Sequence, residues 1–242
     1  MRLRFAWLLL AALLWAPSTK AQSETPSGVF RRGNENVSRG RFDDALLDYA
    51  RLAKDGVRAP SLYWNWAQAA SASGKKGEAV WALLRAQDLT PTDSSISREL
   101  ERLRGELGLD PSEVSLGLLG DARITARRFR FDALAIAALL LSLLAVIGKK
   151  PRTSLSLSTF LIGLLVVLPF FAGSFREPRG VVVRKDAPLV DTPRNDAVAL
   201  ANLREGEVVP LLGEEGDYVR IQDASGARGF AHKNDVRAME ME

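Results

Sequence analysis

Cysteine is absent from the 242 residues, and histidine occurs once. A chain without thiols forms no disulfide, carries no thiolate nucleophile or cysteine metal site, and offers no residue for lipoprotein attachment. The one histidine, His232, has no second histidine with which to form a zinc pair, and no nucleophile elbow or Walker-type glycine loop accompanies it. We therefore predict that the protein is not an enzyme and needs neither a metal nor a cofactor.

The sequence also lacks a large excess of charge of either sign, since the formal net charge is only +4. Many cations border apolar runs instead of forming a basic patch; they are Arg123, Arg127, Arg128, Arg130, Lys149, Lys150 and Arg152. This placement argues against a nucleic-acid partner. It favours contact with the headgroups of a lipid bilayer, which attract cations beside membrane spans, although a solvated linker would carry the same residues.

Residues 1–21 have the pattern of a secretory signal peptide. Arg2 and Arg4 give a positive start, residues 5–16 are apolar, and small residues suited to cleavage follow them. We expect cleavage before Gln22, with an uncleaved anchor as the alternative. Either segment would export the residues that come after it.

Two further apolar runs predict membrane-spanning helices at residues 131–148 and 153–175. A helix needs roughly 20 residues to cross a hydrocarbon core of about 30 Å. The first run is slightly shorter than this, and the second is long enough. Residues 149–152 are too few for a domain, so we expect a tight hairpin with a cytoplasmic loop. The cations of that loop favour this orientation, but arginines flank the other side as well, and the exported N-terminus decides between the two.

On this reading the remaining segments lie in the periplasm of a bacterium, anchored to its inner membrane. They are a region at residues 22–109, a linker at 110–130 and a tail at 176–242.

The region before the linker contains an internal repeat. The spacing from Gly40 to Gly74, and from Ala45 to Ala79, is 34 residues, which is the period of tetratricopeptide (TPR) units. A glycine supplies the left-handed residue that ends the first helix of each unit, and the small alanine allows the two helices to approach closely. The sequence therefore predicts a pair of TPR helical hairpins.

A capping helix is expected after the repeat. Pro91 closes the second unit, and Asp93 can cap a further helix with apolar residues at helical spacing. The first unit departs from the TPR pattern at Arg32 and Asn36, where an apolar and an aromatic residue are usual.

The first helices of TPR units build a concave face, which we expect to bind a peptide or a segment of a partner protein. The residues predicted to point there are Phe30, Asn34, Trp64, Asn65 and Gln68. For Trp64 and Asn65, filling the core is an equally good interpretation. For Trp66 it is the preferred one.

The tail at residues 176–242 changes to short β-type runs between turns, which predicts a small, partly open barrel of about five strands. The runs Gly216-Asp217-Tyr218-Val219-Arg220-Ile221 and Gly229-Phe230-Ala231 resemble a bacterial SH3 domain, a family that usually has tryptophan at Asp217 and Phe230. A groove for proline-rich peptides needs clustered aromatic residues. The tail offers Tyr218 and Phe230 as a candidate SH3-like surface, and Phe230 suits the core better.

The order of signal, TPR units, apolar hairpin and SH3-like tail resembles the BatE proteins of the Bat aerotolerance operons. The runs Ser61-Leu62-Tyr63-Trp64-Asn65 and Gly77-Glu78-Ala79 contribute to this resemblance, whereas Asn65-Trp66-Ala67 stands where the family commonly has Asn-Leu-Gly. The resemblance implies other Bat-type membrane proteins with von Willebrand-type domains as partners, and a MoxR-type ATPase on the cytoplasmic side. It also implies a role in oxidative-stress tolerance.

These patterns together predict a multidomain membrane protein with all-α TPR helical hairpins, a two-helix transmembrane hairpin and a small all-β SH3-like barrel. Its expected function is that of a non-catalytic inner-membrane scaffold or adaptor that assembles an envelope protein complex. The alternative is a tether or sensor whose barrel binds peptidoglycan while the TPR units act as a spacer.

Overall fold

The computed structural model describes residues 24–110, 178–194 and 196–239. In these ranges five α-helices come first and seven β-strands follow. The helices are α1 (Pro26–Ser38), α2 (Phe42–Lys54), α3 (Pro60–Ala72), α4 (Lys76–Leu89) and α5 (Ser94–Glu106). The strands are β1 (Arg179–Val182), β2 (Ala187–Val190), β3 (Ala199–Leu203), β4 (Val208–Glu215), β5 (Tyr218–Gln222), β6 (Arg228–His232) and β7 (Val236–Ala238).

The helices recur with the period seen in the sequence. The starts of α1, α3 and α5, at Pro26, Pro60 and Ser94, are 34 residues apart, as are the starts of α2 and α4. Proline fits the first position of a helix because its fixed φ is already helical and its missing N–H would have had no partner. Helix α1 packs on α2, and α3 packs on α4, which gives helical hairpins in succession.

Glycine ends the first helix of each hairpin in a left-handed conformation. Gly40 has φ +72° and Gly74 has φ +80°. The next N–H in each case donates back to a helix carbonyl, from Arg41 to Asn36 and from Lys75 to Ala70, at 2.9 Å. These hydrogen bonds satisfy carbonyls that the helix end would otherwise leave unpaired, and they start the next helix in a fixed direction.

The core of the helical part is built from alanines and aromatic rings. Ala45 and Ala79 are fully buried, which allows the helices of each hairpin to lie close together. Trp66 and Trp81 are fully buried with ring centroids 5.1 Å apart, in an edge-to-face arrangement. Such a pair contributes roughly 0.5–1.5 kcal/mol beyond the area it buries.

The strands form one antiparallel sheet in the order β3-β2-β6-β5-β4-β1-β7. Residues that alternate along the strands, among them Leu189, Leu203 and Ile221, turn inward and form its core. Gly229 is required where β6 crosses β2, since a Cβ there would lie 2.6 Å from the carbonyl oxygen of Val190. The sheet is therefore held by close backbone approach as well as by side-chain packing.

The sheet packs directly on α4. Val181 and Met239 belong to the same buried cluster as the helical core. Trp81 donates its indole N–H to the carbonyl oxygen of Ala238 at 2.9 Å. A Cβ at Gly77 would lie 2.5 Å from the carbonyl oxygen of Val182, so the two backbones meet without any intervening side chain. In the described residues the helices and the sheet thus share one core.

The predicted transmembrane hairpin requires correction. Among the helices of residues 24–110, 178–194 and 196–239, none is long and apolar enough to cross a membrane. The longest, α4, has 14 residues, or about 21 Å at 1.5 Å per residue, against a hydrocarbon core of about 30 Å. The segments on which the prediction was based, 131–148, 149–152 and 153–175, lie outside the described residues, as do 1–21. The predicted transmembrane fold class and two-span inner-membrane localisation are therefore not supported.

The predicted barrel is corrected as well. The described part of the tail contains seven strands in an open antiparallel sheet, with β3 and β7 at its edges, instead of about five strands in a small barrel. Residue patterns did not predict strands at β2, β3 and β7. Pro188 lies within β2 and breaks the expected strand pattern, and Val236–Ala238 is only three residues long. The edge strands β3 and β7 form because the neighbouring strands β2 and β1 supply their hydrogen bonds.

Candidate functional site

The predicted binding face lies on α1 and α3, and two of its asparagines touch. Asn65 on α3 donates its Nδ2 to the Oδ1 of Asn34 on α1 at 2.9 Å. The same Oδ1 accepts the hydroxyl proton of Tyr49 from α2 at 2.8 Å. Both amides are half-buried. Three helices of the array are therefore tied together by one neutral hydrogen-bond network.

Tyr49 is held in its neutral form. Its ring is fully buried, with the Phe30 ring tilted against it at a centroid distance of 6.1 Å. Burial, and to a smaller extent the negative charge of Asp48, raises the pKa of Tyr49 to about 12. The phenol therefore keeps its proton at physiological pH and continues to donate it to Asn34.

The other two predicted residues extend this face towards α5. Trp64 is half-buried and packs against the helical core, so it combines a core contact with an accessible edge. The half-buried Gln68 lies close to Glu99 on α5. The hydrogen bond from Arg102, with a smaller contribution from Gln68, lowers the pKa of Glu99. We call the surface of Phe30, Asn34, Trp64, Asn65 and Gln68 the α1–α3 face.

The first unit contains a polar cluster at the two residues, Arg32 and Asn36, that depart from the repeat pattern. Arg32 donates from Nε to both carboxylate oxygens of Asp48 at 3.1 Å, and Asn36 donates from Nδ2 at 3.1 Å. Asp48 is buried. The hydrogen bond to Asp48, followed by the one to Glu24, raises the pKa of Arg32. The two residues of α1 that depart from the repeat pattern therefore both hydrogen-bond to one buried carboxylate on α2.

A second cluster joins α4 to the sheet. Glu78 accepts from Arg237 Nη1 at 2.6 Å and from the indole N–H of Trp66 at 2.8 Å, both at the same carboxylate oxygen. Arg237, on β7, lies over the rings of both Trp66 and Trp81. We call these four residues the Arg237 cluster. It borders a pocket of about 500 Å³ whose lining includes Lys233 and Leu211.

The predicted SH3-like surface lies on β5 and β6. Tyr218 is opposite His232 and Arg220 is opposite Phe230, so these four side chains share one side of the sheet. The rings of Tyr218 and His232 meet edge to face at 5.4 Å, and the guanidinium of Arg220 lies 5.1 Å from the Phe230 centroid. Phe230 is buried, which leaves Tyr218 as the accessible aromatic ring of the pair.

His232 has a local structural role in this arrangement. Its Nδ1 accepts the backbone N–H of Asn234 at 3.1 Å, which stabilises the turn between β6 and β7. In the described ranges no group of three or more histidine, aspartate and glutamate side chains is placed to hold a metal ion. The α1–α3 face and the Arg237 cluster are thus the main sites in which the structure brings functional groups together.

Comparison with known proteins assigns no class to this arrangement. No protein-family model matches the chain. No curated protein matches it either. The similarity to BatE proteins, described from motifs in the sequence, therefore stays a prediction, and the function is inferred from the sites themselves.

Proposed function

We propose that the chain is a non-catalytic adaptor whose α1–α3 face binds a segment of a partner protein. The observation that carries this proposal is the network of Tyr49, Asn34 and Asn65, which holds polar groups in fixed positions on the two helices that also carry the half-buried aromatic side chains of Phe30 and Trp64. Fixed polar groups beside apolar anchors are the usual composition of a protein-binding site.

The sheet stabilises the helices that carry the proposed binding face. Two repeat units rarely bury enough surface to be stable alone. Here α5 covers one side of α4, and the sheet adds Val181 and Met239 to the same buried cluster. The adaptor surface therefore rests on a scaffold that extends beyond the repeats.

The resemblance to BatE proteins supports a narrower proposal. In it, the partner is another Bat-type protein with a von Willebrand-type domain, and the adaptor helps to assemble an envelope complex for oxidative-stress tolerance. This narrower proposal depends on motifs such as Gly77-Glu78-Ala79.

A comparative pull-down tests the adaptor function. Tagged full-length chain and a Trp64→Ala, Asn65→Ala double variant are used to capture proteins from native extracts after mild cross-linking. Leu47→Ala is the matched control because Leu47 is an exposed apolar residue on α2, away from the proposed face. We expect specific proteins to be captured by the wild type and the control but lost from the double variant.

Two other results would count against the adaptor. Equal recovery by all three forms would show that the α1–α3 face does not bind the partner. Co-sedimentation with purified peptidoglycan, equal for all three forms and without any captured protein, would favour the tether function instead.

A further inference from the structure

A pocket of about 500 Å³ lies where the first turn of α4 meets the sheet. Its apolar wall comes from β4, β5 and β7 and from the residue that follows β1, and the side chains are Leu211, Val219, Val236 and Val183. Small-molecule sites have volumes of roughly 300–1,000 Å³, apolar walls and a few converging polar groups. The pocket therefore has the size and the lining of a site for a small organic molecule.

The polar lining of this pocket carries charges of both signs. Glu78 and Glu214 are acidic, Lys233 and Arg237 are basic, and their formal charges cancel. A ligand with a net charge would bring in a charge that the lining does not balance. A molecule that has ionised groups of both signs but no net charge fits the lining better, because each of its charges can meet an opposite one.

Glu78 offers a carboxylate oxygen to such a ligand. Its Oε1 accepts from Arg237 Nη1 at 2.6 Å and from the indole N–H of Trp66 at 2.8 Å. Within the part of the chain that the structure describes, no donor reaches the Oε2 of Glu78. The side chain is only 18% exposed, so a charged donor supplied by a ligand would form a partly shielded, charge-assisted hydrogen bond with this oxygen. An ammonium group carries three such donors.

Lys233 offers the matching positive charge. Its Nζ lies 2.5 Å from the Oε2 of Glu214, and 41% and 68% of the two side chains are exposed. An ion pair this exposed contributes little to stability. A ligand carboxylate can therefore replace Glu214 as the partner of Lys233, because the displaced glutamate remains in water.

We propose that this pocket binds a free α-amino acid with an apolar side chain, at a site separate from the α1–α3 face. The ammonium group donates to the Oε2 of Glu78, the carboxylate accepts from the Nζ of Lys233, and the side chain packs on the apolar wall. A neutral sugar has no charge for either residue, and a fatty acid or a phosphate has none for Glu78. Since Glu78 also binds Arg237 of β7, the bound amino acid would stabilise the contact between α4 and the sheet.

Isothermal titration calorimetry with the full chain tests this proposal. L-Valine, L-leucine, L-isoleucine and L-phenylalanine are titrated separately, and glycine is the control that lacks an apolar side chain. We expect at least one of the four to bind with a Kd of about 1 mM or tighter, and glycine to bind at least about tenfold more weakly. The methyl ester and the N-acetyl derivative of the best ligand each lack one of its charges. Each should bind at least about tenfold more weakly than the parent amino acid.

A lysine variant tests the carboxylate contact from the side of the protein. Lys233→Met removes the ammonium group but keeps an unbranched side chain, and we expect it to weaken binding by at least about tenfold. Lys185→Met is the matched control, since Lys185 is an exposed lysine between β1 and β2 and lies outside the pocket lining. Its binding should stay within about twofold of wild type. Thermal unfolding without ligand shows that both variants are folded.

Three results would overturn the proposal in different ways. If none of the four amino acids binds at about 10 mM, the pocket is not an amino-acid site. If glycine or both derivatives bind as well as the best ligand, the apolar wall or the charged groups do not recognise it. If Lys233→Met binds like Lys185→Met, the carboxylate contact assigned to Lys233 is wrong. The derivatives are titrated into the wild-type protein, so their result does not depend on the folding of a variant, and the adaptor function is tested separately.

Discussion

The guanidinium carbon of Arg237, on β7, lies 4.2 Å from the ring centroid of Trp81, on α4. It also lies 4.7 Å from the centroid of Trp66, on α3. One side chain from the last described strand therefore contacts both hairpin helices of the second repeat unit. Its ion pair with Glu78 is mostly shielded, with 32% and 18% of the two side chains exposed. This contact joins the sheet to the helix that carries Trp64 and Asn65.

The first prediction concerns Arg237. We expect Arg237→Ala to lower the free energy of unfolding by about 2 kcal/mol, because it removes two cation–π contacts and leaves the Glu78 carboxylate with one donor. Chemical denaturation monitored by tryptophan fluorescence measures this change. Arg228→Ala, at an exposed position on β6, is the control and should change stability by less than about 0.5 kcal/mol. Equal effects of the two substitutions would contradict a special role for Arg237.

The second prediction concerns the close approach at Gly77. We expect Gly77→Ala to destabilise the protein by about 2 kcal/mol or more, because the added methyl group would lie 2.5 Å from the Val182 carbonyl oxygen and 2.8 Å from the Glu205 side chain. Thermal unfolding measures the loss. Gly105→Ala on α5 meets nothing within 4 Å and should stabilise the protein by about 0.5–1 kcal/mol. A neutral Gly77→Ala variant would show that the helices and the sheet do not meet there.

The third prediction concerns pH. The pKa of Tyr49 is about 12 in the folded protein against an ordinary value of 10.0. Between these values the unfolded chain releases the proton that the folded chain retains, so the free energy of unfolding falls as the pH rises from 10 towards 12. Across this range the free energy of unfolding loses a contribution of about 2–3 kcal/mol from the raised pKa of Tyr49. Below pH 10 that contribution is fully present.

Denaturation at a series of pH values measures this effect as a difference between the wild type and Tyr49→Phe. The variant should be less stable at neutral pH by about 1 kcal/mol, because the hydrogen bond to Asn34 is lost, and its stability should fall less steeply above pH 10. Identical slopes for the wild type and Tyr49→Phe would show that Tyr49 does not titrate in this window.

Local residue patterns in the sequence predicted where helices of the helical part end and where α5 begins. Gly40 and Gly74 mark the helix ends at which the structure has positive φ. Asp93 caps α5 and accepts the N–H of Ser95 at 2.9 Å. These features depend on residues a few positions apart, which is why spacing and residue type were sufficient to find them.

Non-local contacts could not be predicted in this way. The hydrogen bond from Gly77 to Glu205 joins residues 128 positions apart, and the one from Trp81 to Ala238 joins residues 157 apart. In the sequence, Glu78 and Arg237 are ordinary surface charges, and only the packing of the sheet on α4 brings them together. The Asn34–Asn65 pair is intermediate, since the repeat predicted a shared face but not the hydrogen bond or its direction.

The last prediction follows from the shared core of helices and sheet. A fragment of residues 24–110 lacks the sheet, so the indole of Trp81 loses its carbonyl partner at Ala238 and the buried cluster loses Val181 and Met239. Burial of a tryptophan contributes several kcal/mol, and two repeat units have little stability to lose. We expect the fragment to unfold at a lower temperature than the full chain and to show red-shifted tryptophan emission.

Adding a fragment of residues 178–239 should restore the blue-shifted emission through association, whereas a fragment with Arg237→Ala should restore less of it. A helical fragment as stable as the full chain, with unchanged emission, would show that the repeats and the sheet are independent modules, as the sequence alone had predicted.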